Sequence, residues 1–152
     1  MQKTRIIGLT KNIALVAHDH KKKDLVEWAI YNKRILINHN LVATGTTGNM
    51  LEGALDIPIK KVLSGPLGGD QQLGAMIAEG LLDIIIFFWD PLETQAHDSD
   101  VKALLRVATA WNILIACDRS TADFILTSPL MDIDYPIQIP DYSDYLHRKV
   151  ED

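Results

Sequence analysis

Six consecutive apolar residues, 84–89 (IIIFFW), limit the folds that are open to this chain. They do not alternate with polar residues, so a strand formed by this run is apolar on both faces. Strands of that kind are typical of the centre of a parallel sheet with helices on both sides. The run is also far shorter than the roughly 20 apolar residues that a membrane-spanning helix needs. The segment therefore indicates an α/β fold with residues 84–89 as a central strand.

Short apolar runs alternate with helical patterns along the rest of the chain, which is typical of parallel βαβ units. The patterns predict strands at 12–17, 41–44, 59–63, 84–89 and 113–117, and an edge strand at 135–140. They predict helices at 24–30 with an extension towards 38, at 47–55, from about 70 to a stop at Gly80, from 98 onwards, at 121–127 and after 141. Thr47, Asp98 and Asp141 are the expected N-caps. The expected fold is a single-domain, three-layer α/β/α sandwich with a doubly wound, five-stranded parallel sheet.

Composition limits the partners that the protein is expected to have. The 152 residues suit one domain, 1–152, and the contents of 47% hydrophobic and 23% charged residues are typical of a packed globule. A net charge of -5 gives no basic surface for nucleic acid. We expect no membrane partner, and the amino-terminal residues lack a signal-peptide pattern, which favours a cytoplasmic location. Cys117 is the one cysteine, so an internal disulfide is excluded.

Polar residues collect after the predicted strands rather than before them. The polar segments are His18-Asp19-His20 with Lys21 to Lys23, residues 44–49 (TGTTGN), residues 64–72 (SGPLGGDQQ), Asp90-Pro91 and residues 97–100 (HDSD). Ligands of open parallel sheets bind beyond the carboxyl ends of the strands. The sequence therefore predicts a functional site at this edge of the sheet.

Each polar segment also has a purely structural interpretation. Residues 44–48 are either a turn with an N-cap or an anion-binding nest at a helix N-terminus. They match neither of the nucleotide-binding patterns GxxxxGK[ST] and GxGxxG.

Asp70 is either an N-cap or a functional carboxylate, and the three glycines before it favour the second interpretation. The lysine run is a solvated helix start, in which one lysine could complement a phosphate. The spacing of His18 and His20 does not support a metal site.

Together these groups suit proton abstraction beside a carbonyl group in a small phosphorylated substrate. A carboxylate would remove the proton, and a neutral histidine with backbone amides would stabilise the resulting oxyanion. A phosphate nest and a lysine would hold the substrate. His97 is the candidate histidine because it has no evident structural role beside Asp98 and Asp100.

Five segments in the same order resemble the bacterial methylglyoxal synthase family. They are residues 16–20 (VAHDH), 43–49 (ATGTTGN), 63–72 (LSGPLGGDQQ), 87–91 (FFWDP) and 97–106 (HDSDVKALLR). The resemblance implies a lyase that converts dihydroxyacetone phosphate into methylglyoxal and inorganic phosphate without a metal or organic cofactor. It also implies a homohexamer that phosphate inhibits cooperatively.

The resemblance further implies a role for each matching residue. Asp70 would remove the C3 proton, His97 would polarise the carbonyl and move protons, and Asp100 would assist. The substrate would be held by His18, Lys22, Thr44, Gly45, Thr46, Thr47, Ser64 and Gly65. Lys149 stands where the family tends to have an arginine near a neighbouring subunit's phosphate site. Asp19 and Asp90 have no assigned role. The alternatives are a non-catalytic, phosphate-sensing regulatory domain of the same fold and a structural subunit.

Overall fold

The computed structural model describes residues 3–93 and 98–148, and for residues 98–100 the backbone only. The strands are β1 (Lys3–Ile7), β2 (Asn12–Ala17), β3 (Asn40–Thr44), β4 (Lys60–Val62), β5 (Ile84–Phe88), β6 (Leu114–Ala116) and β7 (Tyr135–Ile139). The α-helices are α1 (Lys22–Tyr31), α2 (Lys33–Leu36), α3 (Gly45–Leu55), α4 (Gly69–Ala78), α5 (Asp98–Ala110), α6 (Arg119–Thr127) and α7 (Ser143–Leu146). Short 3-10 helices lie at Asp19–Lys21, Gly65–Leu67 and Pro129–Asp132. No helix of the described ranges is long and apolar enough to cross a membrane.

The main sheet has five parallel strands in the order β4-β3-β2-β5-β6. Within this sheet the first strand along the chain is the central strand β2; the chain then proceeds through β3 to the edge strand β4 and returns to β5 on the other side of β2. The strand order therefore reverses between β2 and β5, where open sheets of this kind form a crevice. The five-stranded parallel sheet of the prediction is confirmed.

Helices cover both faces of the sheet and produce two apolar cores. Alternate residues of a strand point to opposite faces, so Ile13 and Leu15 of β2 pack with α1, α3 and α6 on one side. Ala14 and Val16 pack with α4 and α5 on the other side. All five residues of β5 are buried, as the apolar run predicts for a central strand. These layers form the three-layer α/β/α arrangement that the sequence predicts.

A separate two-stranded antiparallel ribbon joins the two ends of the described chain. β1 pairs with β7, with Lys3 opposite Ile139 and Ile7 opposite Tyr135. The sequence predicts β7 but not β1. β1 has only two apolar residues, and its partner lies more than 120 residues further along the chain. Neither local periodicity nor turn residues mark such a strand.

Several element boundaries and caps differ from the predictions. The first helix is interrupted at Asn32, whose Nδ2 donates a hydrogen bond to the Trp28 carbonyl, and a short α2 follows. α3 begins at Gly45, so the N-cap position is Thr44 rather than Thr47. α5 contains Asp98 as its first residue instead of following it. The N-cap position of α7 is Tyr142, although Asp141 accepts the Ser143 N–H.

Candidate active site

A cavity of about 260 Å³ lies at the carboxyl ends of β2, β3 and β5. It is bounded by four connections of the chain: those that follow β2, β3, β4 and β5. Its described lining consists of Val16, Ala17, His18, Asp19, Lys22, Thr44, Thr46, Ser64, Gly65, Pro66, Asp70, Phe87 and Glu93. The polar segments that the sequence places after separate strands therefore meet in one place.

The first turn of α3 forms one wall of the cavity. Thr44 ends β3, and the helix begins at once with Gly45, Thr46 and Thr47. The first N–H groups of a helix have no partner inside the helix and carry partial positive charge, which favours an anion. Thr47 is only 1% exposed, and its Oγ1 has no hydrogen-bond partner among the described residues. Thr44 and Thr46 line the cavity, whereas Gly45 and Thr47 of the same turn are not part of its lining.

The glycine-rich loop, residues 64–69, forms the neighbouring wall: a Cβ atom built on Gly45 would lie 3.8 Å from the Ser64 nitrogen. The loop is held by its own backbone. The Ser64 carbonyl accepts hydrogen bonds from the N–H groups of Leu67 and Gly69. The Oε1 atom of Gln72 accepts the Leu63 N–H at 2.7 Å and so joins the start of α4 to the end of β4. Gln72 therefore does more than begin the helix. The loop has a defined path from strand to helix.

Asp70 is the second residue of α4 and is not its N-cap. The N-cap position belongs to Gly68, which has a φ of 112° and no side chain. A Cβ atom built on Gly65 would lie 3.5 Å from Oδ2 and 3.6 Å from Oδ1 of Asp70. The carboxylate is thus folded back over Gly65 and borders the cavity. This position contradicts the capping interpretation and agrees with the functional one.

His18, Asp19 and Lys22 come from the connection between β2 and α1. The Lys22 Nζ lies 2.8 Å from Oδ1 of Asp19. That hydrogen bond, together with the lysine charge, lowers the pKa of Asp19. The His18 backbone N–H donates to the Phe88 carbonyl of β5, and its ring packs edge-on against Phe87 at 5.2 Å between centroids. The histidine is therefore fixed at the crevice between β2 and β5.

The turn after β5 brings a further acid into the cavity. Residues 90–93 (DPLE) form a β-turn in which the Asp90 carbonyl accepts the Glu93 N–H and the Asp90 Oδ1 accepts the Leu92 N–H. Aspartate followed by proline is typical of the first two positions of such a turn. The Glu93 side chain is 9% exposed, and its Oε2 lies 3.4 Å from Nδ1 of His18. Sequence reasoning missed Glu93, since a glutamate in a loop carries no signal of burial.

The structure brings together seven of the predicted site residues: His18, Lys22, Thr44, Thr46, Ser64, Gly65 and Asp70. His97 lies outside the described residues. Asp100 lies in the first turn of α5, and its side chain is outside the description. Within the described parts of the chain, no group of three or more His, Cys, Asp or Glu residues is arranged to hold a metal ion.

A second cavity, of about 350 Å³, lies at the opposite end of the sheet near β6 and β7. Its lining is mostly apolar. Its buried Lys11 donates hydrogen bonds from Nζ to the carbonyls of Gly8 and Ile133 at 2.6 and 2.7 Å. These bonds explain the lysine as an anchor of the chain, so the chemistry belongs to the smaller, polar cavity.

The polar cavity combines a carboxylate with an anion-binding helix terminus. Asp70 faces a volume that is also bounded by Thr44, Thr46, Ser64 and Lys22. Such an arrangement suits a small phosphorylated molecule whose C–H bond lies next to the carboxylate. The arrangement supports proton abstraction in a substrate that is held by its phosphate.

Comparisons with known proteins identify the family of this chain. A family model described as "MGS-like domain" matches residues 24–117. Methylglyoxal synthase of Sodalis glossinidius is 56% identical over 97% of this chain and 96% of its own length. Methylglyoxal synthase of Erwinia tasmaniensis is 53% identical over 99% of both chains. The crystal structure of methylglyoxal synthase from Elizabethkingia anophelis superposes with a TM-score of 0.93 at 56% identity and covers 98% of both chains. The chain therefore belongs to the methylglyoxal synthase family.

Proposed function

We propose that this protein is a methylglyoxal synthase, a carbon–oxygen lyase that converts dihydroxyacetone phosphate into methylglyoxal and inorganic phosphate. One observation carries the proposal: the Asp70 carboxylate borders the same cavity as the first turn of α3. A base and an anion site that border one cavity of about 260 Å³ match a substrate that is small and phosphorylated at one end. The family membership of the chain supports the same reaction.

The phosphate group would occupy the part of the cavity that is bounded by the first turn of α3 and the glycine-rich loop. Backbone N–H groups at the start of α3 would donate to its oxygens, because they lack partners within the helix. The buried Thr47 Oγ1, which has no described partner, is consistent with a role in this wall. The proposed substrate-holding residues are His18, Lys22, Thr44, Gly45, Thr46, Thr47, Ser64 and Gly65.

Asp70 would start the reaction by taking the proton from C3 of the substrate. The electron pair of that C–H bond then forms a C2–C3 double bond, and the carbonyl oxygen becomes an enediolate oxygen. His97, assisted by Asp100, would polarise that oxygen and move protons between oxygens. Breakage of the bond between C1 and the phosphate oxygen releases phosphate, and the remaining enol becomes methylglyoxal by taking a proton at C1. No step needs an oxidant, a metal ion or an organic cofactor.

Elimination instead of isomerisation would follow from the orientation of the phosphate. An enediolate expels phosphate readily when the C–O bond stands perpendicular to the enediolate plane, because its σ* orbital then overlaps the π system. Two rigid loops that hold the phosphate together would impose that orientation. A bound enediolate analogue whose phosphate oxygen lies in the plane would contradict this explanation.

The assembly and its regulation are part of the same proposal. A homohexamer, cooperative inhibition by phosphate and a cytoplasmic location all stay predictions. Lys149, where the family tends to have arginine, lies outside the described residues. A lysine keeps the positive charge but lacks the planar fork of arginine, so phosphate inhibition is expected to be weaker than in an arginine-bearing relative.

Asp70→Asn tests the catalytic role. The purified protein is mixed with dihydroxyacetone phosphate, and methylglyoxal and phosphate are measured together over time. The amide cannot accept the C3 proton, so we expect kcat to fall by roughly 10³-fold or more. Binding of inorganic phosphate, measured by calorimetry, should persist.

Asp24→Asn is the matched control, because Asp24 is a first-turn acid of α1 as Asp70 is of α4. Both variants lose an interaction with a helix terminus, but only one loses a group that borders the cavity. Equal losses in the two variants would contradict the assignment of Asp70 as the base. A wild-type protein that binds phosphate without any turnover would favour the phosphate-sensing alternative.

A further inference from the structure

Glu93 is a buried acid without an assigned role in the proposed reaction. Its side chain is 9% exposed, and it borders the cavity that contains Asp70. The Oε2 atom is buried and has no hydrogen-bond partner among the described residues. Burying a carboxylate oxygen without a hydrogen bond is costly. Such a group points to a partner that forms in another state of the site.

A ring nitrogen of His18 lies close to that oxygen. Nδ1 of His18 lies 3.4 Å from Oε2 of Glu93 and also accepts the Asp90 N–H at 3.1 Å. These two contacts need different states of the ring. The bond from Asp90 requires a lone pair on Nδ1, whereas a bond to Glu93 requires a proton there. The structure thus contains the hydrogen bond from Asp90. A small movement of the His18 ring or of the Glu93 side chain would form the bond to Glu93 instead.

The charges around the cavity favour the second state once an anion is bound. The described lining contains three carboxylates, those of Asp19, Asp70 and Glu93, and one ammonium group. That ammonium group, of Lys22, is already paired with Asp19. A phosphate dianion would therefore face mainly negative side chains. A protonated His18 would offset part of this repulsion, since opposite charges attract strongly in a poorly hydrated site. Among the described residues, the charged or titratable groups that share the cavity with His18 are Asp19, Lys22 of α1, Asp70 of α4 and Glu93. Asp90, whose N–H donates to the ring, and His20, two positions further along the chain, lie next to it.

We propose that Glu93 is a positioning residue that prepares His18 to bind the phosphate group of the substrate. When the anion enters, His18 takes one proton from solvent at Nδ1 and donates it in a hydrogen bond to the Glu93 carboxylate. The Asp90 N–H loses its acceptor, and Nε2–H of the imidazolium ring is directed at a phosphate oxygen. The inference rests on the proposed function, because the anion is taken to be the phosphate of the substrate.

The role of Glu93 depends on its charge and not only on its shape. A glutamine at this position would accept the same hydrogen bond but would leave the imidazolium charge without a counter-charge. Hydrogen bonds between charged groups are worth about twice those between neutral groups. Glu93→Gln therefore tests the charge while keeping the volume, and Glu93→Asp restores the charge on a shorter side chain.

Nitrogen-15 NMR of protein labelled in its histidine rings tests the inference directly. His18 signals are assigned by their loss in His18→Asn, and the probe is inorganic phosphate. In the wild type we expect the Nδ1 signal to move from the value of an unprotonated nitrogen to that of a protonated one. In Glu93→Gln it should stay near the unprotonated value at equal saturation. A wild-type Nδ1 that remains unprotonated, or a Glu93→Gln variant that behaves like the wild type, would overturn the proposal, as would absence of phosphate binding.

Steady-state kinetics with dihydroxyacetone phosphate supply the second readout. A group that holds phosphate equally in the ground and transition states affects KM and leaves kcat unchanged. We expect Glu93→Gln to raise KM roughly tenfold with kcat changed by less than about threefold, and Glu93→Asp to recover part of that loss. The control is Glu27→Gln, which removes an exposed glutamate of α1. An unchanged KM, or a collapse of kcat alone, would contradict the positioning role. If the wild type has no turnover, the proposed function fails while the NMR titration still decides the role of Glu93.

Discussion

Two adjacent glycines, Gly68 and Gly69, place Asp70 for different physical reasons. Gly68 has a φ of 112°, a backbone conformation that side chains other than glycine rarely adopt. At Gly69 a Cβ atom would lie 1.9 Å from the Leu63 carbonyl oxygen, which is far inside the contact distance. The first residue therefore turns the chain, and the second lets α4 start directly against the end of β4. Asp70 follows with its carboxylate at the cavity.

Gly69→Ala is expected to damage both stability and activity. The added methyl group must push α4 away from β4, and overpacking of this kind costs about 1–3 kcal/mol. The free energy of unfolding, measured in urea at a fixed protein concentration, should fall by that amount. The displaced Asp70 should also lower kcat, because the base no longer meets C3 at the required position.

Gly53→Ala is the matched control, because Gly53 is an exposed residue inside α3 and a Cβ atom there meets nothing within 4 Å. Alanine is favoured over glycine in a helix by about 0.5–1 kcal/mol, so this variant should be slightly more stable and fully active. A Gly69→Ala protein with wild-type stability and kcat would show that the contact with Leu63 does not determine the position of α4.

At the level of single residues, the sequence predicts those site members that lie next to distinctive backbone segments. Asp70 follows three glycines, and Thr44 and Thr46 stand at the start of a helix, so local patterns mark them. Glu93 has no such mark. It becomes a site residue because a β-turn carries it to a histidine that is 75 positions earlier in the chain. Only the fold specifies that encounter.

Among the elements, the ribbon of β1 and β7 depends on a polar junction with the main sheet. Asp83 is 2% exposed and accepts hydrogen bonds from the backbone and side-chain nitrogens of Asn12, at 2.7 and 3.0 Å. It also accepts a 2.7 Å bond from Nη1 of Arg5, and Nη2 of Arg5 donates to the Leu82 carbonyl. One buried carboxylate therefore connects β1, β2 and the segment before β5.

Asp83→Ala is expected to lower the free energy of unfolding by about 3–5 kcal/mol, because two Asn12 donors and the Arg5 guanidinium lose their buried acceptor. The loss should exceed that of Arg5→Met, because Asp83 would keep both donors of Asn12 in that variant. For Arg5→Met we expect a loss of about 1–2 kcal/mol. Urea unfolding at a common protein concentration measures both. Equal losses would mean that Asp83 acts only through Arg5 and does not join three elements.

The elements themselves differ in how much of them is predictable. β5 is fully apolar over Ile84–Phe88, so its composition predicts that both of its faces are buried. β1, with the sequence KTRII, carries no comparable pattern and is a strand because β7 pairs with it. The interruption of the first helix at Asn32 depends on a bond to the Trp28 carbonyl, which the helical periodicity of the segment does not reveal.

For the whole molecule, the strand order explains why distant segments share one cavity. β2 lies between β3 and β5, so the connections after these three strands open towards the same crevice. The loop from β4 to α4 then closes the cavity from the side with Asp70. The sequence predicts that the polar segments lie at one edge. The strand order β4-β3-β2-β5-β6 determines which of these segments are in contact. Residue patterns do not reveal that order.

The stability of the whole chain should decline with acidity in two stages. His39 accepts the Lys11 N–H at Nδ1 over 2.9 Å, so protonation of that nitrogen would break the bond. Burial and the charge of Lys11 lower the pKa of His39 from its ordinary value of 6.5. A hydrogen bond with Lys22 lowers the pKa of Asp19 from its ordinary value of 3.8. Hydrogen bonds with the backbone and side chain of Thr121 lower the pKa of Asp118 from the same value.

The sign of each stage follows from which state binds more protons. Below pH 6.5 the unfolded chain protonates His39 while the folded chain does not, so stability falls from there to the lower pKa of the folded state. The carboxylates contribute fully above pH 3.8, and their contribution is lost below it. Urea unfolding at a series of pH values, with constant salt and protein concentration, should therefore show a free energy of unfolding that falls as the pH drops below 6.5 and falls further below 3.8.

His39→Asn isolates the first stage, because the asparagine Oδ1 can accept the Lys11 N–H but cannot be protonated in this range. We expect the decline that begins near pH 6.5 to disappear in this variant, while the decline below pH 3.8 remains. His20→Asn removes an exposed histidine and should leave both stages as in the wild type. A first stage that persists in His39→Asn would mean that another group takes up the proton on unfolding, and that the buried bond between His39 and Lys11 does not link the stability of the fold to pH.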